Sequence, residues 1–260
     1  MALRIVVLLK AVPVVGTERL DASKRVDRST NLEPNGNDEY CLEKSLVLTE
    51  AHGGDVTVVS MGPSGAVDAI RKALAMGAAR AVHVMDPAIA GSDLQATARI
   101  LAEAVKRTEH DLVLAGFDSS DGGAGVIPSM VATLLGLPYL SNAADIEPAG
   151  EGRVRVRRLS PTGFDVIEAP MPALIMGTQL LGAPRYPSLR GIMQARSKEV
   201  EALDLAALAI DPATVGQGSA GTKVIDARTP PPRGAGDVVR EAPDVAVERM
   251  VAFLADRGLL

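Results

Sequence analysis

Along the first two thirds of the chain, short β-branched and aliphatic runs alternate with segments of helical period, and few folds accommodate that pattern. "RIVVLLK" reads as a buried strand, "DEYCLEKSLVLTEAHGG" as a helix closed by glycine, and "DVTVVSM" as the next strand. "SGAVDAIRKALAMGA" follows as a helix with Val67, Ile70 and Leu74 on one stripe. "RAVHVMD" and "LQATARILAEAVKRT" repeat the pair, as do "DLVLAGF" and "VIPSMVATLLGLP". Strands that alternate with helices imply βαβ units, hence an α/β fold with a parallel sheet covered by helices on both faces. The pattern then changes. "RVRVRRLS" and "FDVIEAP" alternate like an antiparallel hairpin joined by "PTG", and "PALIMGT" reads as another buried strand.

After residue 200 the alternation fades. "EALDLAALAI" is a short apolar helix or strand, and "GQGSAG" and "TPPPRGAGD" read as flexible or extended spacers. "PDVAVERMVAFLADRG" places Val247, Met250, Val251 and Leu254 on one helical stripe, with Gly258 as a stop. The expected organisation is an α/β domain over residues 1–200 and a C-terminal arm over 201–260, its helix docked on its own domain or on a partner.

Composition narrows the class. The 260 residues are 47% hydrophobic but only 2% aromatic, with no Trp, so Ala, Val, Leu, Ile and Met must build the core. A net charge of −5 argues against a nucleic-acid binder. The single cysteine, Cys41, forms no intrachain disulfide and suggests a reducing, cytoplasmic setting. "RIVVLLK" is too short to span a membrane and lacks the features of a signal peptide. With only His52, His83 and His110, no histidine-based metal site is expected.

"GFDSSDGGAGVIP" (116–128) follows a strand and opens a helix. Its glycines let the backbone turn and approach a ligand, and free N–H groups at a helix start suit a phosphate. The loop carries Asp118 and Asp121 but no Lys or Arg, so backbone amides would hold the phosphate; a plain strand–helix turn is the alternative. "NLEPNGNDEYCLE" (31–43) sets a polar cluster before a helix, with Asn37 or Asp38 as N-cap. Loops after the first, second and fourth strands, carrying Lys10–Ala11, Met61–Gly62 and Asp121–Gly125, would converge with it on one crevice. "GQGSAG" has dinucleotide-fingerprint spacing but neither the strand before it nor the helix after it. Ser119 and Ser120 lie at the opposite end of their strand from His110, so no nucleophile–base pair is visible and no catalytic residues are expected.

One stretch does not look like core. In "RYPSLRGIMQARSK" (185–198), Tyr186, Leu189, Ile192 and Met193 share a helical face among Arg185, Arg190, Arg196 and Lys198.

With these motifs the chain resembles the β subunits of electron-transfer flavoproteins over nearly its full length. The residues that carry the resemblance are "IVVLLKAVP", "NGNDEYCLEKSL", "VSMGP", "IRKALAMGA", "GSDLQATARILAEA", "DGGAGVIPSMVATLLGLP" and "PRYPSLRGIMQARSKEVE". The resemblance implies a Rossmann-like, nucleotide-α-hydrolase-like domain and a heterodimer with an α subunit that holds most of the FAD. It implies an arm that wraps that partner, and structural AMP against Leu8, Lys10, Asn35, Gly36, Asn37, Asp38, Met61, Asp121, Gly122, Gly123, Ala124, Gly125 and Val126. It further implies that 184–198 is a recognition loop for flavin dehydrogenases, built on Arg185, Tyr186, Leu189, Ile192 and Met193, with Leu189 as the anchor. From residue type alone, at least Ile192 or Met193 is expected to be buried in its own domain. Arg185, Arg190 and Arg196 would steer an acidic partner. Electrons would pass from dehydrogenases, such as those acting on acyl-CoA, to a membrane quinone oxidoreductase, without insertion of this subunit into the membrane. The chain departs from the family at Gly36, Gly182-Ala183 and Leu159. At the last, an acid thought to position the mobile flavin domain is missing. Two other functions fit the motifs: an electron-bifurcating relative with a second FAD in place of AMP, and a UspA-like nucleotide-binding module.

Overall fold

The computed structural model describes residues 2–228, 231, 234 and 236–260. Most of the "TPPPRGAGD" spacer expectation therefore falls on positions outside the described residues. In chain order the elements are β1 (Leu3–Leu8), β2 (Ala11–Pro13), β3 (Leu32–Pro34), α1 (Gly36–His52), β4 (Gly54–Met61), α2 (Ala66–Met76), β5 (Arg80–Val84), α3 (Leu94–Lys106) and β6 (Leu112–Gly116). They continue with α4 (Ile127–Leu135), β7 (Tyr139–Pro148), β8 (Arg153–Ser160), β9 (Gly163–Pro170), β10 (Ala173–Gly177), α5 (Leu189–Ala195), β11 (Val200–Leu203), α6 (Gly216–Ser219) and α7 (Pro243–Ala255).

One nine-stranded sheet runs β11-β5-β4-β1-β6-β10-β7-β8-β9, and β2 and β3 form a small antiparallel pair. Neighbours from β11 to β7 are parallel, and β7-β8-β9 is an antiparallel meander that extends the same sheet. The α/β class and the hairpin follow the sequence pattern. β1 illustrates why its run is continuously apolar. Leu3, Ile5 and Val7 enter one core with residues of α1 and α2, while Val6 and Leu8 enter a second core with residues of α3 and α4. A strand buried on both faces has no polar side to show. Helix positions facing the sheet are mostly small, among them Ala69, Ala73, Ala98 and Ala102, so a core almost free of aromatic rings still closes.

Two expectations need correction, and one strand was not foreseen. "EALDLAALAI" is not the start of an arm. Val200–Leu203 forms β11 on the edge of the main sheet against β5, and Leu205, Leu208 and Ile210 are buried behind it. The first compact unit accordingly spans Met1–Ile225 and the second Asp226–Leu260, so the boundary lies beyond residue 200. "GQGSAG" is no free spacer either. Gln217 N–H donates to the Ala90 carbonyl at 3.1 Å, Gly216 N–H to Ser92 Oγ at 2.9 Å and Gly221 N–H to Asp93 Oδ2 at 2.8 Å. Finally, "YLSNAADIEP" is a full strand, β7, which the sequence pattern did not announce. The second unit carries α7, none of whose residues is buried. Its stripe residues Val247, Met250 and Val251 are all exposed.

Candidate functional site

β1 has β4 on one side and β6 on the other, so the chain winds away from it in both directions. In a doubly wound sheet the loops at the carboxyl ends part at such a point and leave a crevice. Leu8 ends β1 and is buried in the second core, followed by Lys10; Met61 ends β4, half-buried against the same core; Gly116 ends β6. The start of α1 closes the crevice from the other side. Its N-cap is Asn35, not Asn37 or Asp38, and Gly36 is its first residue. The Asn35 side chain makes no cap bond; it reaches instead across the crevice, Nδ2 donating to the Asp118 carbonyl at 2.7 Å and Oδ1 accepting from Ser120 N–H at 3.2 Å. Asn37 Nδ2 also donates to Asp118, at 3.0 Å to Oδ1.

Asp38 joins the two strand ends. Its buried carboxylate accepts the backbone N–H of Lys10 at 2.8 Å and of Gly116 at 3.0 Å. Burial pushes its pKa up, hydrogen bonds from Lys10, Asn35 and Gly116 pull it back, and it stands at about 7. Because the native pKa lies above the unfolded one, native protein binds a proton between about pH 4 and 7 that the unfolded chain has released. Asp38 by itself therefore makes stability fall as pH rises through that window. Asp38→Asn should remove this slope. It should also cost about 1–3 kcal/mol, because the amide accepts one of the two N–H groups and presents a donor to the other. Urea midpoints of both proteins from pH 5 to 8 check this; parallel pH profiles would contradict it.

The glycine-rich loop is arranged differently from the expectation that it lacks cations. Lys10 Nζ donates to Asp121 Oδ1 at 2.7 Å and to Ser119 Oγ at 2.9 Å, and Arg28 pairs with Asp121 Oδ2. Burial opposes ionisation of Asp121, but the Lys10 hydrogen bond and the charges of Lys10 and Arg28 hold its pKa below the ordinary value. Arg28 was invisible to motif reasoning. It lies in the segment between β2 and β3, and their antiparallel pairing returns that segment to the crevice, where Arg28 also donates to the Ala11 carbonyl at 2.9 Å. Gly122 and Gly123 N–H both turn back to the Ser119 carbonyl. Gly123 and Gly125 take φ of 57° and 63°, the left-handed region that glycine enters without strain. Among the described residues no acceptor is found for the N–H groups of Ala124, Gly125 and Val126, just before α4. Unpaired amides at a helix start, on a loop whose Asp121 draws in Lys10 and Arg28, suit a phosphate group. No cluster of metal-ligating side chains occurs among the described residues. His110 sits at the far end of the sheet, its Nδ1 2.7 Å from the Thr108 carbonyl.

The segment 185–198 forms a second candidate surface. Ser188 caps α5, its Oγ accepting from Gly191 N–H at 3.0 Å. Tyr186 is 95% exposed, Leu189 77%, Met193 65% and Ile192 43%, so the expected burial of Ile192 or Met193 does not hold. The reason is how α5 meets α2. Contact is made through small residues: Ala195 is buried, and a Cβ on Gly191 would stand 2.3 Å from the Ala75 carbonyl oxygen. The larger side chains are left facing out, beside an open groove of about 530 Å³ lined by Arg71, Ala75, Pro187, Ile192, Ala195 and Arg196. Arg185 differs from the expected steering charge. Its guanidinium bonds Glu43 at 2.8 Å and Glu50 at 2.5 Å, and its backbone N–H bonds Glu43 at 3.0 Å. Those two carboxylates neutralise it, while Arg190 and Arg196 make no ion pair among the described residues.

The molecule thus combines a doubly wound α/β sheet, a glycine-rich loop at its switch point, and a separate short helix whose apolar side chains are exposed. The sequence of residues 24–208 matches the electron transfer flavoprotein domain. The electron transfer flavoprotein subunit beta of Mycobacterium leprae is 37% identical over 249 residues, 92% of this chain and 93% of its own length. Those of Thermoanaerobacterium thermosaccharolyticum and Megasphaera elsdenii are each 34% identical, over 99% and 93% of this chain and 100% and 93% of theirs. The chain belongs to the electron transfer flavoprotein family, on its beta-subunit side. A free-standing stress-type nucleotide module is thereby set aside. No helix among the described residues is long and apolar enough to cross a membrane.

Proposed function

We propose that this chain is the β subunit of a heterodimeric electron carrier. In this account its crevice holds AMP as a structural ligand, and its exposed helix docks flavin dehydrogenases that deliver electrons bound for a membrane quinone oxidoreductase. The observation that carries the nucleotide assignment is the crevice between β1 and β6, with unpaired amides at Ala124–Val126 on the loop whose Asp121 is paired with Lys10 and Arg28. The phosphate would lie on those amides, with Gly122 and Gly123 shaping the approach. Leu8, Met61 and the Asn35–Asp38 turn would form the walls. Most of the FAD would be held by the α subunit, where it supplies the electron-accepting chemistry; this chain contributes binding and orientation. Two carboxylates on the loop are already engaged, Asp121 by Lys10 and Arg28 and Asp118 by Asn37. Neither is left facing a phosphate as a free metal ligand, which favours a structural over a phosphoryl-transfer role.

The direct test is assembly with the α subunit, followed by stopped-flow mixing with a substrate-reduced acyl-CoA dehydrogenase. Rapid flavin reduction in the heterodimer is expected; none with any flavin dehydrogenase would overturn the carrier role. The arm has its own test. Val215 and Gly216 are buried in the first unit, so the informative truncation ends at Ile225 rather than before Gly216. A chain ending there should melt as the full chain does, yet co-elute less with the α subunit on size exclusion. Undiminished heterodimer would show that α7 does not serve the interface.

A further inference from the structure

α2 and α5 cap each other. Arg71, in the middle of α2, donates through Nη1 to the Ala195 carbonyl at 2.7 Å and to the Lys198 carbonyl, which lie at and beyond the last turn of α5. Lys198, three residues past α5, reaches back to the end of α2 and donates to the Ala78 carbonyl at 2.5 Å and the Leu74 carbonyl at 3.3 Å. Carbonyls at a helix end have no partner within the helix, and a cation there satisfies both the hydrogen bond and the helix dipole. At the other end of the segment, Arg185 is fixed to Glu43 and Glu50 of α1. A seven-residue helix in isolation is far too short to persist in water. Its large apolar side chains do not hold it either, since Leu189, Ile192 and Met193 are all exposed and only Ala195 is buried. Hydrogen bonds from long basic side chains, together with the close Gly191–Ala75 approach, hold it in place.

We infer that Arg71 and Lys198 are positioning residues for partner docking: their reciprocal caps on α2 and α5 set the Leu189 face before a dehydrogenase arrives. The inference rests on the docking role proposed above. Presetting a loop raises affinity by removing the ordering cost at the moment of binding, without adding any contact to the partner.

The test uses the assembled heterodimer carrying Arg71→Met, Arg71→Lys, Lys198→Met or Leu189→Ala, each checked for full flavin content. In the free heterodimer, Arg71→Met should speed hydrogen exchange of the amides of residues 192–195 by about ten-fold, the loss of a charged hydrogen bond. With an acyl-CoA dehydrogenase as the varied partner, KM should rise by about five-fold and kcat stay unchanged, as expected when only a binding-competent population is lost. Arg71→Lys should recover part of both effects. Lys198→Met should reproduce the KM effect, and it decides the matter if Arg71→Met fails to assemble. Unchanged exchange, or changed exchange with unchanged KM, would overturn the positioning role while Leu189→Ala still raised KM and so upheld docking. If Leu189→Ala left KM unchanged, the docking role itself would fail and this inference with it.

Discussion

Gly116→Ala is expected to destabilise the protein by about 3 kcal/mol and to abolish the proposed nucleotide binding in the crevice. A Cβ at this position would stand 2.6 Å from Asp38 Oδ1, 2.7 Å from the Asn37 carbonyl carbon and 2.8 Å from Asn37 Cβ. Two of those atoms belong to or adjoin the backbone of the first turn of α1, which cannot swing aside like the tip of a long side chain. Gly116 also donates its N–H to Asp38, and Asp38 holds Lys10 in turn, so a shift of α1 breaks the link between the ends of β1 and β6. Gly218→Ala is the control, since a Cβ there meets nothing within 4 Å. Thermal melts and nucleotide content of both variants decide the point. A Gly116→Ala protein with native melting temperature and native nucleotide would mean that the approach of α1 to β6 is not what shapes the crevice.

Leu189→Ala is expected to slow electron transfer from a flavin dehydrogenase by roughly thirty-fold at sub-saturating concentrations, the equivalent of a central hot-spot residue at about 2 kcal/mol. Leu189 is 77% exposed, so its truncation removes little from the core and the melting temperature should stay within error. A leucine seated in an apolar pocket contributes about 1.5–3 kcal/mol relative to water, which is enough to account for the effect. Tyr186 and Met193 flank it on the same open surface and would surround the anchor. Arg190 and Arg196 remain as the charges able to steer an acidic partner, since Arg185 is neutralised by Glu43 and Glu50. Raising salt should therefore slow association without abolishing it. Normal transfer per folded heterodimer would remove Leu189 from the docking surface.

What the sequence made legible follows from how each element is buried. β1, β6 and β10 are covered on both faces and read as continuous apolar runs, and β4 and β5 read as nearly so, interrupted by buried Thr57, Ser60 and His83. Helices α2 and α3 each carry one apolar stripe, α2 ending on glycine and α3 on a basic residue, whereas the buried face of α1 also holds Asp38, Glu43 and Ser45. β7 breaks this rule: one half is covered by the sheet's helices, while the other joins the meander, so polar Asn142, Asp145 and Glu147 interrupt it. β11 is a four-residue edge strand, too short for any period to emerge. The glycine loop was readable because left-handed turns at Gly123 and Gly125 demand glycine itself. Arg28 and the partners of Arg185 were not, because ion pairs carry no sequence period. Arg28 meets Asp121 across 93 positions, and Arg185 meets Glu43 and Glu50 across 142 and 135. Ile192 and Met193 misled for the opposite reason: an apolar stripe on a short helix ordinarily marks core, and here Gly191 and Ala195 make the packing contact instead.

The central claim is that the crevice between β1 and β6 holds a structural mononucleotide and leaves the redox flavin to the partner subunit. The most direct measurement is a count of nucleotides released when the purified subunit, expressed alone, is denatured and its supernatant run by mass spectrometry. The account predicts one AMP per chain and no flavin. Stoichiometric FAD from the isolated subunit would contradict it and make the crevice the seat of a second, electron-bifurcating flavin; a supernatant with neither would remove the nucleotide role altogether.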